Sequence, residues 1–518
     1  MKRRATTRRL MTRRVTTAVA AALVVAFLAG CSSWFGPSVP SESTPTGEGV
    51  SAELEPFYSQ ILRWSDCGGG MQCAQAEAPL DWNDPARDSI QLALVRQPAT
   101  GGEPIGSLVV NPGGPGASGY DIVKDSIDFV ATPALQEAYD IVGLDPRGVG
   151  RSSAISCHSD AATLDGFLYA ITPGITGSDA WLDAIGVSNQ AFAADCLQFT
   201  GDLLGEVDTI SAARDLDLLR ATLGDSTLNF LGYSYGTYLG ATYAELYPEN
   251  TGRLVLDGAI DPAATSYDVT ATQAQGFESA LLAFLADCDA QTDCPFQNGP
   301  AAAQTQIRAL LERLDASPIR NADGRMLGSN TMTSAIILPL YDATNWSYLR
   351  QLFTAVSSGD AELAFSLADS YNGRDANGNY IDNSLEARVA INCLDYTSEG
   401  TREQWRADAA ALAVLAPVFG PQFSYGETAC SGWPFAADNV RGPIVASGSS
   451  DILVVGTTND PATPYIWAQS LAAQLENGHL ITRNGEGHTG YNKGNACVDD
   501  AVDNYFLSGT VPATDPLC

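Results

Sequence analysis

The chain has 518 residues, 45% of them hydrophobic and 17% charged, with 60 Asp and Glu against 28 Lys and Arg and a formal net charge of −32. It is large for one compact body, which points to a core domain carrying a substantial insertion. An acidic surface repels nucleic acid and anionic lipid headgroups, which excludes both as charge-driven partners.

Residues 1–30 stand outside the fold. "MKRRATTRRLMTRR" is basic and "VTTAVAAALVVAFLAG" is an apolar run closed by small residues. Together they have the form of a secretory signal peptide, too short and wrongly flanked for a stable span. The run ends on "LAGC", which resembles a bacterial lipoprotein signal and makes Cys31 the expected lipid-bearing residue. The expected location is therefore extracytoplasmic, lipid-anchored or secreted, with that anchor as the sole membrane contact. The Arg-Arg pairs leave the export route, general secretory or twin-arginine, open. Residues 31–55, rich in Ser, Pro and Gly, read as a flexible tether. Without the leader, 21 Lys and Arg face 60 Asp and Glu, a net −39 spread along the chain rather than blocked.

Eleven cysteines less Cys31 leave ten, an even number that favours five disulfides over a metal site in an exported protein. Proximity suggests Cys67–Cys73, Cys157–Cys196, Cys288–Cys294, Cys393–Cys430 and Cys497–Cys518. No zinc-ligand spacing is present.

From about residue 74, short apolar runs alternate with helical stretches, as in a mostly parallel α/β sheet. "SIQLALVRQ" (89–97) and "IGSLVVNPGGPG" (105–116) are strand-like, the second running into a glycine-rich turn. "YDIVGLDPRGVGRSS" (139–153) is a further buried strand and loop. Residues 157–208 carry little strand signal and read as an excursion. "DTISAARDLDLLRATLG" (208–224) is a helix with Asp208 or Thr209 as cap and Gly224 as stop. "STLNFLGYSYG" gives strand and sharp turn, "TYLGATYAELYP" the helix after it, and "GRLVLDGAIDP" (252–262) the next strand. Residues 263–440 are helical; strand, loop, helix, strand and loop return over 451–491, before a final helix. The expected fold is α/β, an α/β-hydrolase: a mostly parallel sheet in two pieces, 56–262 and 441–518, split by a large helical cap insertion at 263–440.

"GYSYG" (232–236) is a G-x-S-x-G pentapeptide, a pattern that chance alone supplies in a chain with 49 glycines. Its context decides. Ser234 lies on a strand-to-helix turn between small residues, where an α/β-hydrolase nucleophile sits, with acid and base to follow in the order Ser, Asp, His. Of three histidines, His158 precedes the turn and His479 opens a strand; His488 lies in a loop after a strand, at the sheet's carboxyl edge. Asp460 follows "ILVVGTTN", whereas Asp451 begins that strand. Oxyanion donors are expected from the backbone of Tyr235 and from the "NPGGPG" loop, at Gly114 rather than Gly113.

The segments "NPGGPG", "GLDPRGVGRS", "DTISAARDLDLLRATLG", "GYSYGTYLGATYAELYPE", "LVLDGAIDP" and "LVVGTTNDPATPY" together resemble the secreted tripeptidyl aminopeptidases of the proline-iminopeptidase family of serine peptidases. The resemblance runs from about residue 74 to the C-terminus. It implies Ser234, Asp460 and His488 as catalytic residues, the helical insertion as a cap, and a peptide substrate with a free N-terminal amine that loses one to three residues. The chain departs from compact members in having "NPGGPG" where they have His-Gly-Gly-Pro-Gly, and in the 157–208 excursion.

A carboxylate must meet the amine, and Glu278 or Asp395 are the candidates; Arg147 braces the glycine-rich loop. The reaction is two-step, through an acyl-enzyme, and its chemistry calls for no metal or organic cofactor. An esterase or lipase on the same triad is the near alternative, since fold and triad do not separate ester from amide. A non-catalytic solute-binding lipoprotein is the more distant one.

Overall fold

The computed structural model describes residues 41–397, 400–438 and 441–518. The signal peptide and Cys31 lie outside the described residues.

Eight strands precede the insertion: β1 (Ser41–Glu42), β2 (Arg63–Gly68), β3 (Met71–Pro79), β4 (Ser89–Gln97), β5 (Ser107–Asn111), β6 (Asp140–Leu144), β7 (Leu228–Tyr233) and β8 (Thr251–Asp257). A small hairpin, β9 (Ile319–Arg320) with β10 (Met326–Leu327), lies within the insertion, and β11 (Ile452–Asn459) and β12 (Gly478–Glu486) follow it. The main sheet runs β1-β2-β3-β4-β6-β5-β7-β8-β11-β12. Pairings from β1 to β6 are antiparallel, and every pairing from β6 across to β12 is parallel.

The parallel strands are apolar on both faces because helices cover both. Side chains alternate between two cores at the period of two that a strand imposes. Val109, Leu254, Leu256 and Val454 enter one core, with Leu219 of the helix Thr209–Leu223 and Leu239 of the helix Tyr235–Leu246. Leu108, Val110, Val255, Leu453 and Val455 enter the other, with Val498, Val502 and Phe506 of the helix Ala496–Ser508. Asp208 caps the Thr209–Leu223 helix by accepting from Ser211 N–H, and Gly224 ends it at φ +95°. These details place β5, β7, β8, β11 and β12 so that their carboxyl ends share one edge.

Residues 41–55, expected within a flexible tether, are instead built into the fold. β1 pairs with β2, Thr46 N–H donates to Ala221 O, and Glu48 meets Arg220 Nη2 at 2.7 Å. The Arg220 side chain is buried and takes Asp217 as its second anion at 2.8 Å. Composition reports flexibility, but it cannot see a buried cation elsewhere in the chain that demands a partner.

The insertion carries its own core. Phe277 and Phe284 (helix Ser266–Asp289), Leu311 (Pro300–Ala316), Ile336 (Ser329–Leu340), Phe353 (Trp346–Ser357) and Phe365 (Glu362–Tyr371) pack together. The 157–208 excursion is helical, at Ala161–Leu168 and Asp179–Thr200, and Tyr169 joins the insertion's core. Disulfides link Cys67–Cys73, Cys157–Cys196, Cys288–Cys294, Cys393–Cys430 and Cys497–Cys518. Among the described residues no helix is long and apolar enough to cross a membrane, and no acidic, His or Cys cluster has metal-binding geometry.

Arg147 is fully buried and binds both oxygens of Asp215 at 2.7 Å, together with the carbonyls of Pro79, Leu80 and Glu206. It joins the loop after β6 to β3 and to the Thr209–Leu223 helix. Breaking a buried pair leaves an uncompensated charge. Arg147→Met should therefore lower unfolding free energy by about 3–5 kcal/mol, read from denaturant midpoints; a midpoint like that of the wild type would show that the bracing is dispensable.

Candidate active site

Ser234 joins β7 to the Tyr235–Leu246 helix at φ 55° and ψ −122°, a backbone conformation that costs energy for any residue with a side chain. Hydrogen bonds on both sides hold it. Its N–H donates to Asp257 O at 2.9 Å, and its carbonyl accepts from Thr237 Oγ1 at 2.6 Å. Gly113 lies against this turn: a Cβ there would fall 2.9 Å from Ser234 Cβ and 3.0 Å from Tyr235 N. Only glycine lets the two loops approach so closely. Gly113 N–H is spent on Asn111 Oδ1 at 2.9 Å. Among the described residues the amides of Gly114 and Tyr235 have no protein acceptor, which leaves both as donors for an oxygen bound beside Ser234.

His488 follows β12. Its Nδ1 lies 3.0 and 2.9 Å from the two oxygens of Asp460, so Nε2 is the nitrogen left to face the turn. Asp460 is buried and held in plane by Ala462 N–H, Thr463 N–H and Thr463 Oγ1, each at 2.9 Å, and by Thr489 N–H at 3.1 Å. His488 N–H donates to Tyr341 O at 2.8 Å, and the Tyr341 ring stands edge-on to the imidazole at 5.3 Å. The insertion therefore touches the base directly.

Asp257, at the end of β8, links the two halves. Its carbonyl takes Ser234 N–H, and its carboxylate accepts from Gly490 and Tyr491 N–H at 2.8 Å each. Burial pushes its carboxyl up to about 6, against the pull of those amides and of the nearby His488. A Cβ on the next residue, Gly258, would lie 3.3 Å from His488 Cε1. Serine and imidazole thus flank one dipeptide. Ser234 Oγ and His488 are not hydrogen-bonded in the structure, and contacts of this kind commonly tighten when substrate binds.

The carboxylates expected to meet a substrate amine are both engaged elsewhere. Glu278 is buried and accepts from Val418 N–H, Phe419 N–H and Gln304 Nε2 at 2.9, 3.1 and 2.6 Å. Asp395 accepts from Thr209 N–H at 2.9 Å and Thr209 Oγ1 at 2.5 Å, at the start of a core helix. Each satisfies protein donors that burial would otherwise strand. His158 bonds Glu386 at 2.6 Å and His479 bonds Asp451 at 2.8 Å; neither meets Ser234.

A cavity of about 810 Å³ lies between the excursion and the insertion; its lining includes Trp181, Gln273, Asp315, Thr333, Phe423 and Tyr425 and none of Ser234, Asp460 or His488. Gln273 Nε2 donates to Ala462 O at 2.8 Å, two residues beyond Asp460. Phe423 packs on Phe277, and Phe277 on Tyr341, so packed rings stand between the cavity and the imidazole. Sequence reading missed Tyr341, Thr463 and Asp257. Only Asp257, the polar end of an apolar strand, left a local signal.

A strained serine turn, a histidine oriented by a buried aspartate and two open amides, at one edge of a mostly parallel sheet, define a serine hydrolase of the α/β-hydrolase fold. Comparison with known proteins agrees. Residues 416–518 match the family model described as "TAP-like protein". Serine protease Hip1 of Mycobacterium tuberculosis is 35% identical over 91% of this chain and 93% of its own. Carboxylesterase B of the same species is 37% identical over 86% of each chain, and the tripeptidyl aminopeptidase of Streptomyces lividans 30% identical over 88% of this chain and 86% of its own. The chain belongs to this TAP-like family of α/β-hydrolases.

Asp460→Asn should lower kcat by about 10⁴ on any substrate that the wild type cleaves, by presenting the wrong imidazole tautomer; steady-state kinetics check this. A second expectation concerns Asp395, whose carboxyl burial raises to about 6 from an ordinary 3.8. A raised carboxyl favours the fold below its ordinary value and loses that contribution as pH rises through 6. Asp395→Asn does not titrate, so its stability relative to wild type should rise by about 2 kcal/mol between pH 4 and 7. Urea unfolding across that range tests it, and a pH-independent difference would contradict it.

Proposed function

We propose that the protein is an exported serine exopeptidase that releases short N-terminal peptides, tripeptides foremost, from substrates with a free amino terminus. The observation that carries this reading is the Ser234–His488–Asp460 arrangement; a cavity of about 810 Å³, a size that suits a short peptide, is tied to it through the Gln273 contact to Ala462. Ser234 attacks the scissile carbonyl while His488 takes its proton and Asp460 stabilises the imidazolium. The amides of Tyr235 and Gly114 receive the developing oxyanion. His488 then protonates the departing amine, and water attacks the acyl-enzyme by the same route in reverse.

With Glu278 and Asp395 engaged, the carboxylates that support amine capture are those lining the cavity. Asp315 keeps one oxygen on Ser329 N–H and has the other open, and Glu312 stands beside it. The likeness to a tripeptidyl aminopeptidase supports the same direction, and the leader with Cys31 supports export and lipid anchoring. The second reading, an esterase on the same triad, has the likeness to carboxylesterase B in its favour.

Hydrolysis of a chromogenic tripeptide amide, free and N-acetylated, by wild type and Ser234→Ala, alongside a short acyl ester, separates these. The expected result is cleavage of the free-amine peptide with at least tenfold preference over the acetylated one, as loss of a charge-assisted hydrogen bond implies, and no turnover by the alanine variant. Ester turnover without peptide turnover would establish the esterase.

A further inference from the structure

The helix Ser384–Asp395 reaches from the "NPGGPG" loop to the start of the Thr209–Leu223 helix. Its residues Ser384, Arg388, Ile391 and Asp395 share one face at helical spacing. At one end, a Cβ on Gly116 would fall 2.3 Å from Ser384 O and 3.1 Å from Arg388 N, so the "NPGGPG" loop rests on the backbone of that face. At the other end Asp395 binds Thr209 Oγ1, which also meets the Tyr235 hydroxyl at 2.5 Å. The backbone of Arg388 thus packs on the loop whose Gly113 abuts Ser234. The charge of Arg388 also bears on the phenol of Tyr341, whose ring lies against His488.

Arg388 is half-buried and, among the described residues, has no ion pair and no side-chain hydrogen bond. That is unusual in a chain where acids outnumber bases two to one. The fully buried guanidiniums, Arg147 and Arg220, are each saturated with carboxylate and carbonyl partners. A partly desolvated guanidinium without a counter-ion recovers its lost hydration when a carboxylate docks on it, and its planar fork suits that anion.

The geometry points to Arg388 as the binding group for a carboxylate on the departing side of the scissile bond. This rests on the peptidase reading for its orientation. The peptidase reading takes the cavity as the acyl side; no residue of this helix or of the "NPGGPG" loop lines it, and Arg388 is assigned to the departing side on that reading. The carboxylate comes either from an acidic side chain on the first departing residue or from the C-terminus of a single departing residue.

Two substrate pairs distinguish these sources: a free-amine tripeptide extended by Glu-amide against Gln-amide, and by Ala with a free carboxylate against Ala-amide. In the wild type, one pair should show an acid-to-neutral kcat/KM ratio of about 10–100, as expected for a charge-assisted contact. Arg388→Met should bring that ratio near one, and Arg388→Lys should restore part of it. A wild-type ratio near one in both pairs, or a ratio unchanged in Arg388→Met, overturns the assignment. Inhibition of the wild type by a product bearing the free carboxylate, against its amide, gives the same readout without relying on a variant. If no peptide is cleaved, a dicarboxylic acid monoester against its diester reads the ratio instead. An Arg388-dependent preference there would overturn the peptidase reading and leave the carboxylate site standing.

Discussion

One buried residue, Asp257, sets the geometry on which the reactive centre depends. Its main-chain oxygen fixes the amide of Ser234, and its carboxylate fixes the amides of Gly490 and Tyr491 behind His488. Ser234 and His488 lie more than two hundred residues apart in sequence, and this end of β8 brings them into one frame. The arrangement has a cost: burial raises that carboxyl to about 6, so the charged form that best accepts from the two amides is also the one desolvation opposes. The backbone donors offset that penalty, which is why the carboxylate is surrounded by N–H groups rather than by cations.

The insertion is an integral part of the site. Tyr341 supplies the acceptor for the His488 amide and the ring against its imidazole, and the Ser384–Asp395 helix bears on the oxyanion loop at Gly116. The excursion adds another layer, since Glu386 of that helix accepts from His158 and Cys157. Both additions to the sheet therefore converge on the backbone that must receive the developing charge. Rigid support of this kind is what electrostatic stabilisation needs, because donors already in place do not have to reorganise during reaction.

Much of this was legible in the sequence where chemistry and local pattern coincide. The strand–turn–helix around Ser234, and the placement of Asp460 and His488 in loops after strands, follow from apolar runs and glycines within a dozen residues. What was not legible depends on distant partners. Glu278 and Asp395 look like free acids in a helix, and only the folded chain shows Val418, Phe419, Gln304 and Thr209 donating to them. Residues 41–55 look like linker because nothing nearby reveals that Arg220 needs Glu48. Tyr341 carries no mark at all, since its contribution is a carbonyl oxygen and a ring edge.

The split of the sheet has a further consequence for the order in which the chain can mature. β8 ends at Asp257 and its parallel neighbour β11 begins at Ile452, so nearly two hundred residues emerge before that edge is covered. Until then β8 presents open backbone donors and acceptors, the template on which strands of other chains pair. Non-local parallel pairing is also slow to form. The turn that holds Ser234 is thus made before the strands that carry Asp460 and His488, and the last seventy or so residues complete the sheet around it.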